Sequence, residues 1–246
     1  MIARVRRFAL GVTLLVVLAP AAATQTQSAP SVPDLSGFWI NQYTPDLSRV
    51  LGKQPPFTPQ GADRWRNVDT ANDPTGRCWP PGPTRAFTAP YPFVLVQHSN
   101  TVAILFEYFT IWRVVYLDGR PHPANIADNP EFMGHSIGHW EGSTLVVDTV
   151  GIDDRSWLDT AGHEHSDKLH VVERFEKQGA NIHWTATFED SEFFARPWSV
   201  ARTFTPGKAN DRILSYSCTE NNRDIGHLRP NQPNLNFRYE PDGTAR

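Results

Sequence analysis

From Phe93 onward, runs of β-branched and aromatic residues are broken by turn residues roughly every eight to twelve positions, the spacing of short strands in an all-β domain. The pattern predicts strands at 93–98, 101–108, 111–117, 135–140, 143–149, 168–177, 181–189, 199–205 and 212–218, after a first strand within 34–40. Thr58-Pro59 carries a capping hydroxyl and a proline at the first helical position, so one short N-terminal helix is expected through Trp65 and Arg66. Residues 71–92 contain six prolines and cannot form a central strand, which makes them a long loop over the surface or over a cavity mouth.

So many antiparallel strands in one unit close into a barrel or stack as a sandwich. The Gly37-Phe38-Trp39 opening followed by a meander is similar to lipocalin-like (calycin-like) barrels, and the barrel is the expected fold, as one domain over 34–246.

Hairpin geometry then places side chains. A turn at Glu141-Gly142 sets Trp140 opposite Ser143, His139 opposite Thr144, Ile137 opposite Val146 and His135 opposite Asp148. A carboxylate beside an imidazole fixes its tautomer and raises its pKa, as a general acid or base requires, although a cross-strand surface pair has the same signature. A second turn, at Gln178-Gly179 or Gly179-Ala180, sets Leu169, Val171, Glu173 and Phe175 against Ile182, Trp184, Ala186 and Phe188. Glu173 is alone among apolar residues there and needs a partner. Arg113, on the face of Ile111, Val115 and Leu117, is the matching anomaly, and a Glu173–Arg113 pair inside the barrel satisfies both.

Composition narrows the function. A formal charge of −3, with no basic block after the first residues, gives no footprint for nucleic acid. Arg4, Arg6 and Arg7, the apolar run 8–18 and Ala21-Ala22-Ala23 have the form of a signal peptide over 1–23, followed by a polar linker at 24–33. The run is too short to span a bilayer, so an exported, periplasmic or secreted protein without integral membrane association is expected. Cys78 and Cys218 are the only cysteines, and in an oxidising compartment they pair, joining the loop before the first long strand to the last strand.

The stretches DGRPHP (118–123), GHSIGHWEGSTLVVDT (134–149), HSDKLHVVERF (165–175) and CTENNRD (218–224) together resemble a large family of exported bacterial proteins. That resemblance covers roughly residues 75–224 and implies export and a shared fold, with no activity attached. Members read GDTLVV where this chain has Gly142-Ser143-Thr144, and some carry Asp in place of His135.

The candidate chemistry is acid–base. His135, Asp148, His122, His165, Glu173 and Arg113 are the candidate catalytic residues, with His122 presented rigidly between two prolines and His165 in a polar loop. Tyr108, Trp112, Trp140, Trp157, Trp184 and Trp198 are candidates to line a cavity for a small hydrophobic or aromatic molecule. His163, His165, His170, His135 and His139 have spacings that metal sites use, but the Gly-His-Glu-His-Ser loop has the look of exposed surface, and no metal is expected. No phosphate loop, dinucleotide fingerprint or haem motif is present, so no organic cofactor is implied. The leading expectation is a cofactor-independent lyase or isomerase of the barrel type. The alternative is a non-catalytic lipocalin-like binder of small hydrophobic ligands. A third reading, a serine esterase using Ser136 in Gly134-His135-Ser136-Ile137-Gly138, fails on context, because an elbow serine needs a helix after it and the pattern gives a strand. What separates enzyme from carrier is whether a histidine or carboxylate lies within reach of both a second titratable group and the ligand.

Overall fold

The computed structural model describes residues 32–218. The expected signal peptide, most of the linker and most of the CTENNRD stretch lie outside the described residues. Among the described residues, nine strands form one closed barrel in sequence order: β1 (Gly37–Ile40), β2 (Phe93–Gln97), β3 (Thr101–Phe106), β4 (Trp112–Tyr116), β5 (His135–Glu141), β6 (Thr144–Val150), β7 (His170–Gln178), β8 (Asn181–Glu189) and β9 (Trp198–Pro206). Neighbours are antiparallel except β4 and β5, which run parallel through Val115↔Ser136 and Tyr116↔Ile137. The all-antiparallel expectation is corrected there. The chain between these strands is long enough to return it to the same end, as a parallel pair requires.

Strand alternation sorts the barrel wall. Val171, Glu173 and Phe175 of β7 are buried, whereas His170, Val172 and Arg174 face outward. On β6, Leu145, Val147 and Thr149 point in and Asp148 points out. The β7–β8 register, with Glu173 opposite Ala186 and Phe175 opposite Trp184, turns at Gly179-Ala180 and matches the sequence reading. The β5–β6 turn is Gly142-Ser143 instead of Glu141-Gly142, because Gly142 takes the positive φ of 61° that the turn needs. Every pairing therefore moves by two residues: His135 lies opposite Val150, and Ile137 opposite Asp148. Parity survives such a shift, so His135 and Asp148 still share the outer face.

Three α-helices among the described residues replace the single one expected. The anticipated helix, α2 (Pro59–Asn67), is capped by the Thr58 hydroxyl on Gly61 N. Before it, α1 (Leu47–Leu51) is capped by Asp46 and closed by Gly52 at φ 71°. The third, α3 (Gly82–Thr88), arises within the proline-rich segment, and all seven of its residues are buried. Proline is compatible with the first turn of a helix, so six prolines did not exclude this one.

The third helix packs Phe87 into the barrel. Phe87 is fully buried and meets the rings of Phe93, Phe106, Phe175, Trp184 and Phe204 at centroid distances of 4.9–5.7 Å. Burying one such phenylalanine contributes roughly 1.5–3 kcal/mol. Glycine is needed at position 82, where the chain enters the helix, because φ is 77° there and a Cβ would lie 2.9 Å from Ser156 Oγ. Residues 212–218 form no strand. They run as a tail past the barrel end, with Leu214 N on Glu107 Oε2 (2.9 Å) and Tyr216 N on Thr110 Oγ1 (3.1 Å). The Cys78–Cys218 disulfide therefore anchors this tail, not a strand, to the segment before α3, and it closes a loop that in the chain-entropy model contributes about 4 kcal/mol. Among the described residues no helix is long and apolar enough to cross a membrane.

Candidate functional site

The residues expected to act together occupy three separate places. Inside the barrel, Arg113 and Glu173 form the anticipated ion pair, each side chain 1 % exposed. Arg113 also donates from Nε to Ser136 Oγ (2.8 Å) and from Nη2 to Thr149 Oγ1 (2.6 Å), while Trp184 Nε1 donates to Glu173 Oε1 (3.0 Å). Arg113 Nη1 has no hydrogen-bond partner among the described residues. Ser136 thus serves an internal charge pair near the start of β5, and Gly142-Ser143 leads on into β6 rather than into a helix. It is not an elbow serine.

His165 lies in the loop between β6 and β7. The polar loop expected to expose it buries it instead, at 3 % exposure. Its Nδ1–H donates to the Ser166 carbonyl (2.9 Å) and its Nε2 meets Ser156 Oγ at 3.0 Å. Burial holds its pKa below the usual imidazole range. With Gly82 packed on Ser156, this pair joins the loop to α3. His163 is buried as well: it stacks on Trp65 at 4.2 Å, and its Nδ1–H donates to Asp159 Oδ2 (2.6 Å). Asp46, Asp159 and His163 are close enough to suggest a metal site. However, Asp159 already accepts from the backbone N–H of Leu47, Gly162 and His163 as well as from the ring, so its lone pairs are spent on joining α1 to the loop.

The outer wall brings together His122, His135 and Asp148, with His122 bridging His135 and Asp148 in place of the direct cross-strand pair expected, and adds His170, Glu189 and Tyr116. His122 Nδ1 meets His135 Nδ1 at 2.8 Å, and its Nε2 donates to Asp148 Oδ1 (3.2 Å). His170 Nε2 donates to the same oxygen (2.8 Å), and its Nδ1 is 3.6 Å from Glu189 Oε2. Tyr116 stacks on His135 at 5.5 Å. The two histidine hydrogen bonds, His170's first, hold the Asp148 carboxyl below its usual range, and the same bond raises His170. Desolvation, followed by the neighbouring His122, lowers His135. Sequence reasoning had His170 only as a spacing-based metal candidate. Its signal was parity, since Glu173 inward on β7 sets His170 outward beside Asp148.

The six aromatic candidates do not line one cavity. Trp184 is in the core against Phe87, Trp198 packs on Phe188 and Phe194, and Trp157 is buried in the 151–168 loop. Trp140 packs partly buried against the core. Trp112 stands on the outer wall, 67 % exposed, opposite Leu105. Tyr108 stacks on Tyr91 at 4.8 Å and meets Tyr216 edge-on.

Tyr91 borders a cleft that the strand pattern did not reveal, because the tail builds one wall of it. The cleft measures about 440 Å³ and lies where β1 and β3 end and β2 begins. Phe38, Ile40, Pro90, Tyr91, Pro92 and Leu214 supply its apolar surface, and Asn41, Glu107, Asn210, Asp211 and Arg212 its polar groups. Asn41 donates from Nδ2 to the Phe87 carbonyl (2.9 Å), which leaves its buried Oδ1 without a partner among the described residues. The tail is clamped at Thr110, whose φ of 51° is unusual for a β-branched residue and whose Oγ1 bonds both N and O of Tyr216 at 3.1 Å. Burial among these rings pushes the Tyr216 hydroxyl up to about 12.

No protein-family model and no curated protein matches this chain. Among solved structures, a mutant of the fluorescent protein UnaG is similar over 70 % of this chain and 96 % of its own, at 10 % identity and a TM-score of 0.34, a likeness too distant to carry any argument about function.

Proposed function

We propose that this is an exported barrel protein that binds a small, largely apolar molecule in the cleft at the barrel mouth. The observation that carries the reading is the cleft itself: about 440 Å³, within the size range of small-molecule sites, apolar over most of its lining and edged by a few polar groups. Its position at one end of the barrel follows from the filled interior, where Phe87 occupies the space an internal ligand would need. Export is supported by the signal-like N-terminus and by the Cys78–Cys218 disulfide.

Binding is favoured over acid–base catalysis by where the titratable groups stand. Glu107 and Asp211, the carboxylates at the cleft, are each tied to a backbone amide, of Leu214 and Lys208 respectively. The histidines of the acid–base reading, His122, His135 and His165, are on β5 and in loops, none of them lining the cleft. Titration with 1-aminoanthracene, followed by fluorescence, tests the assignment. Tyr91→Ala and Leu214→Asp are expected to weaken binding about tenfold or more, with Trp112→Ala unchanged. Loss of binding in Trp112→Ala alone would move the site to the outer wall and overturn it.

A further inference from the structure

The outer wall carries a pair of imidazoles that ligand binding at the mouth does not use. His122 sits between Pro121 and Pro123, whose fixed φ angles hold the loop that presents its ring over the start of β5. Asp148 offers only acceptor oxygens to His122 Nε2, so the proton of the neutral ring is on Nε2 and its Nδ1 lone pair accepts from His135 Nδ1–H, a proton that a bound metal displaces. That lone pair points at a second imidazole nitrogen, His135 Nδ1, 2.8 Å away. Two imidazole nitrogens on one tetrahedral ion, with bonds of about 2.0–2.1 Å, stand about 3.3 Å apart. The pair is therefore within roughly half an ångström of chelating geometry, a gap that a small rotation of the His122 ring closes.

The surroundings suit an ion. A carboxylate on the far nitrogen of a metal-binding histidine orients the ring and raises its basicity, which is the relation of Asp148 to His122. His170 holds that carboxylate from the other side at 2.8 Å, and the Tyr116 ring fixes the plane of His135. The cluster is only partly buried, so water has access to the remaining positions. Arg120, over the Tyr116 ring, has its charge matched by Asp118 at 2.5 Å.

We infer that His122 Nδ1 and His135 Nδ1 form an open two-imidazole site for a divalent late transition metal of the Zn²⁺ class, with Asp148 as the positioning residue for His122. Isothermal titration of the full chain with Zn²⁺ tests it. One equivalent is expected to bind in the micromolar range. His122→Gln and His135→Gln should each weaken that site thirtyfold or more, Asp148→Asn should weaken it about tenfold or more, and His139→Gln, on the same wall but paired with Glu141, should change nothing. Histidine side-chain nitrogen shifts should place the metal on Nδ1 of residues 122 and 135. Absence of binding at 0.1 mM Zn²⁺, or wild-type affinity in either glutamine variant at 122 or 135, would overturn the site. Wild-type affinity in Asp148→Asn would overturn the role of Asp148.

Discussion

The interior and the outer wall of β5, β6 and β7 are built from adjacent residues and behave oppositely. Ser136, Thr149 and Glu173 point inward, whereas their sequence neighbours His135 and Asp148, and His170 one turn of the pleat away, point outward. Inside, a carboxylate and a guanidinium removed from water must find each other, and nearly every donor is committed: the cluster is a structural joint across β4, β5, β6, β7 and β8. Outside, the same kinds of group stay partly hydrated, which leaves nitrogen lone pairs able to meet a solute. Burial, rather than residue type, separates the structural charge from the reactive one.

Removing one half of the internal pair should give the largest effect. Glu173→Gln is expected to cost about 3–5 kcal/mol by leaving Arg113 buried and unpaired, seen as a fall in Tm of roughly 6–20 °C. The double change Arg113→Met with Glu173→Leu should recover most of that loss, since it leaves no buried charge. A double variant as unstable as the single one would show that the pair does more than neutralise itself. Ser136→Ala, which strips Arg113 Nε of its acceptor, should cost about 1–3 kcal/mol in urea unfolding and leave probe binding at the mouth unchanged.

Acid should distinguish the buried histidine from the exposed ones. Because the pKa of His165 is lowered in the fold, the unfolded chain takes up a proton first as pH falls below about 6.5, and the native state loses stability from there down to the folded pKa at no more than about 1.4 kcal/mol per pH unit. His165→Asn should flatten the wild-type slope of Tm between pH 7 and 5, and an unchanged slope would remove the burial argument. Asp148→Asn is expected to have the smallest effect on unfolding, under about 1 kcal/mol, because its histidine pairs are partly exposed.

Parity explains how much of this was legible in the sequence. Alternation alone set Glu173 and Arg113 on the inner face and kept His135 with Asp148 on the outer one, even though the turn between β5 and β6 was placed one residue early. Long-range packing was not legible. Gly82–Thr88 is too short, and its flanks too rich in proline, to announce a helix, and its packing against the barrel core and the Arg85–Asp73 pair stabilise it. His163 and His165 stand among polar residues that ordinarily mark exposed loops, but Asp159, Ser156 and Trp65 satisfy them in the interior. The mouth cleft depends on a tail that pairs with no strand, so periodicity carried no trace of it.

The central claim is that the barrel interior is closed to ligand and the mouth is open. Crystals soaked in 1-aminoanthracene test it most directly. The account predicts density between Phe38, Tyr91 and Leu214, with Phe87 unmoved among its five aromatic neighbours. Density inside the barrel, with Phe87 displaced and the probe beside Trp184 and Glu173, would contradict it.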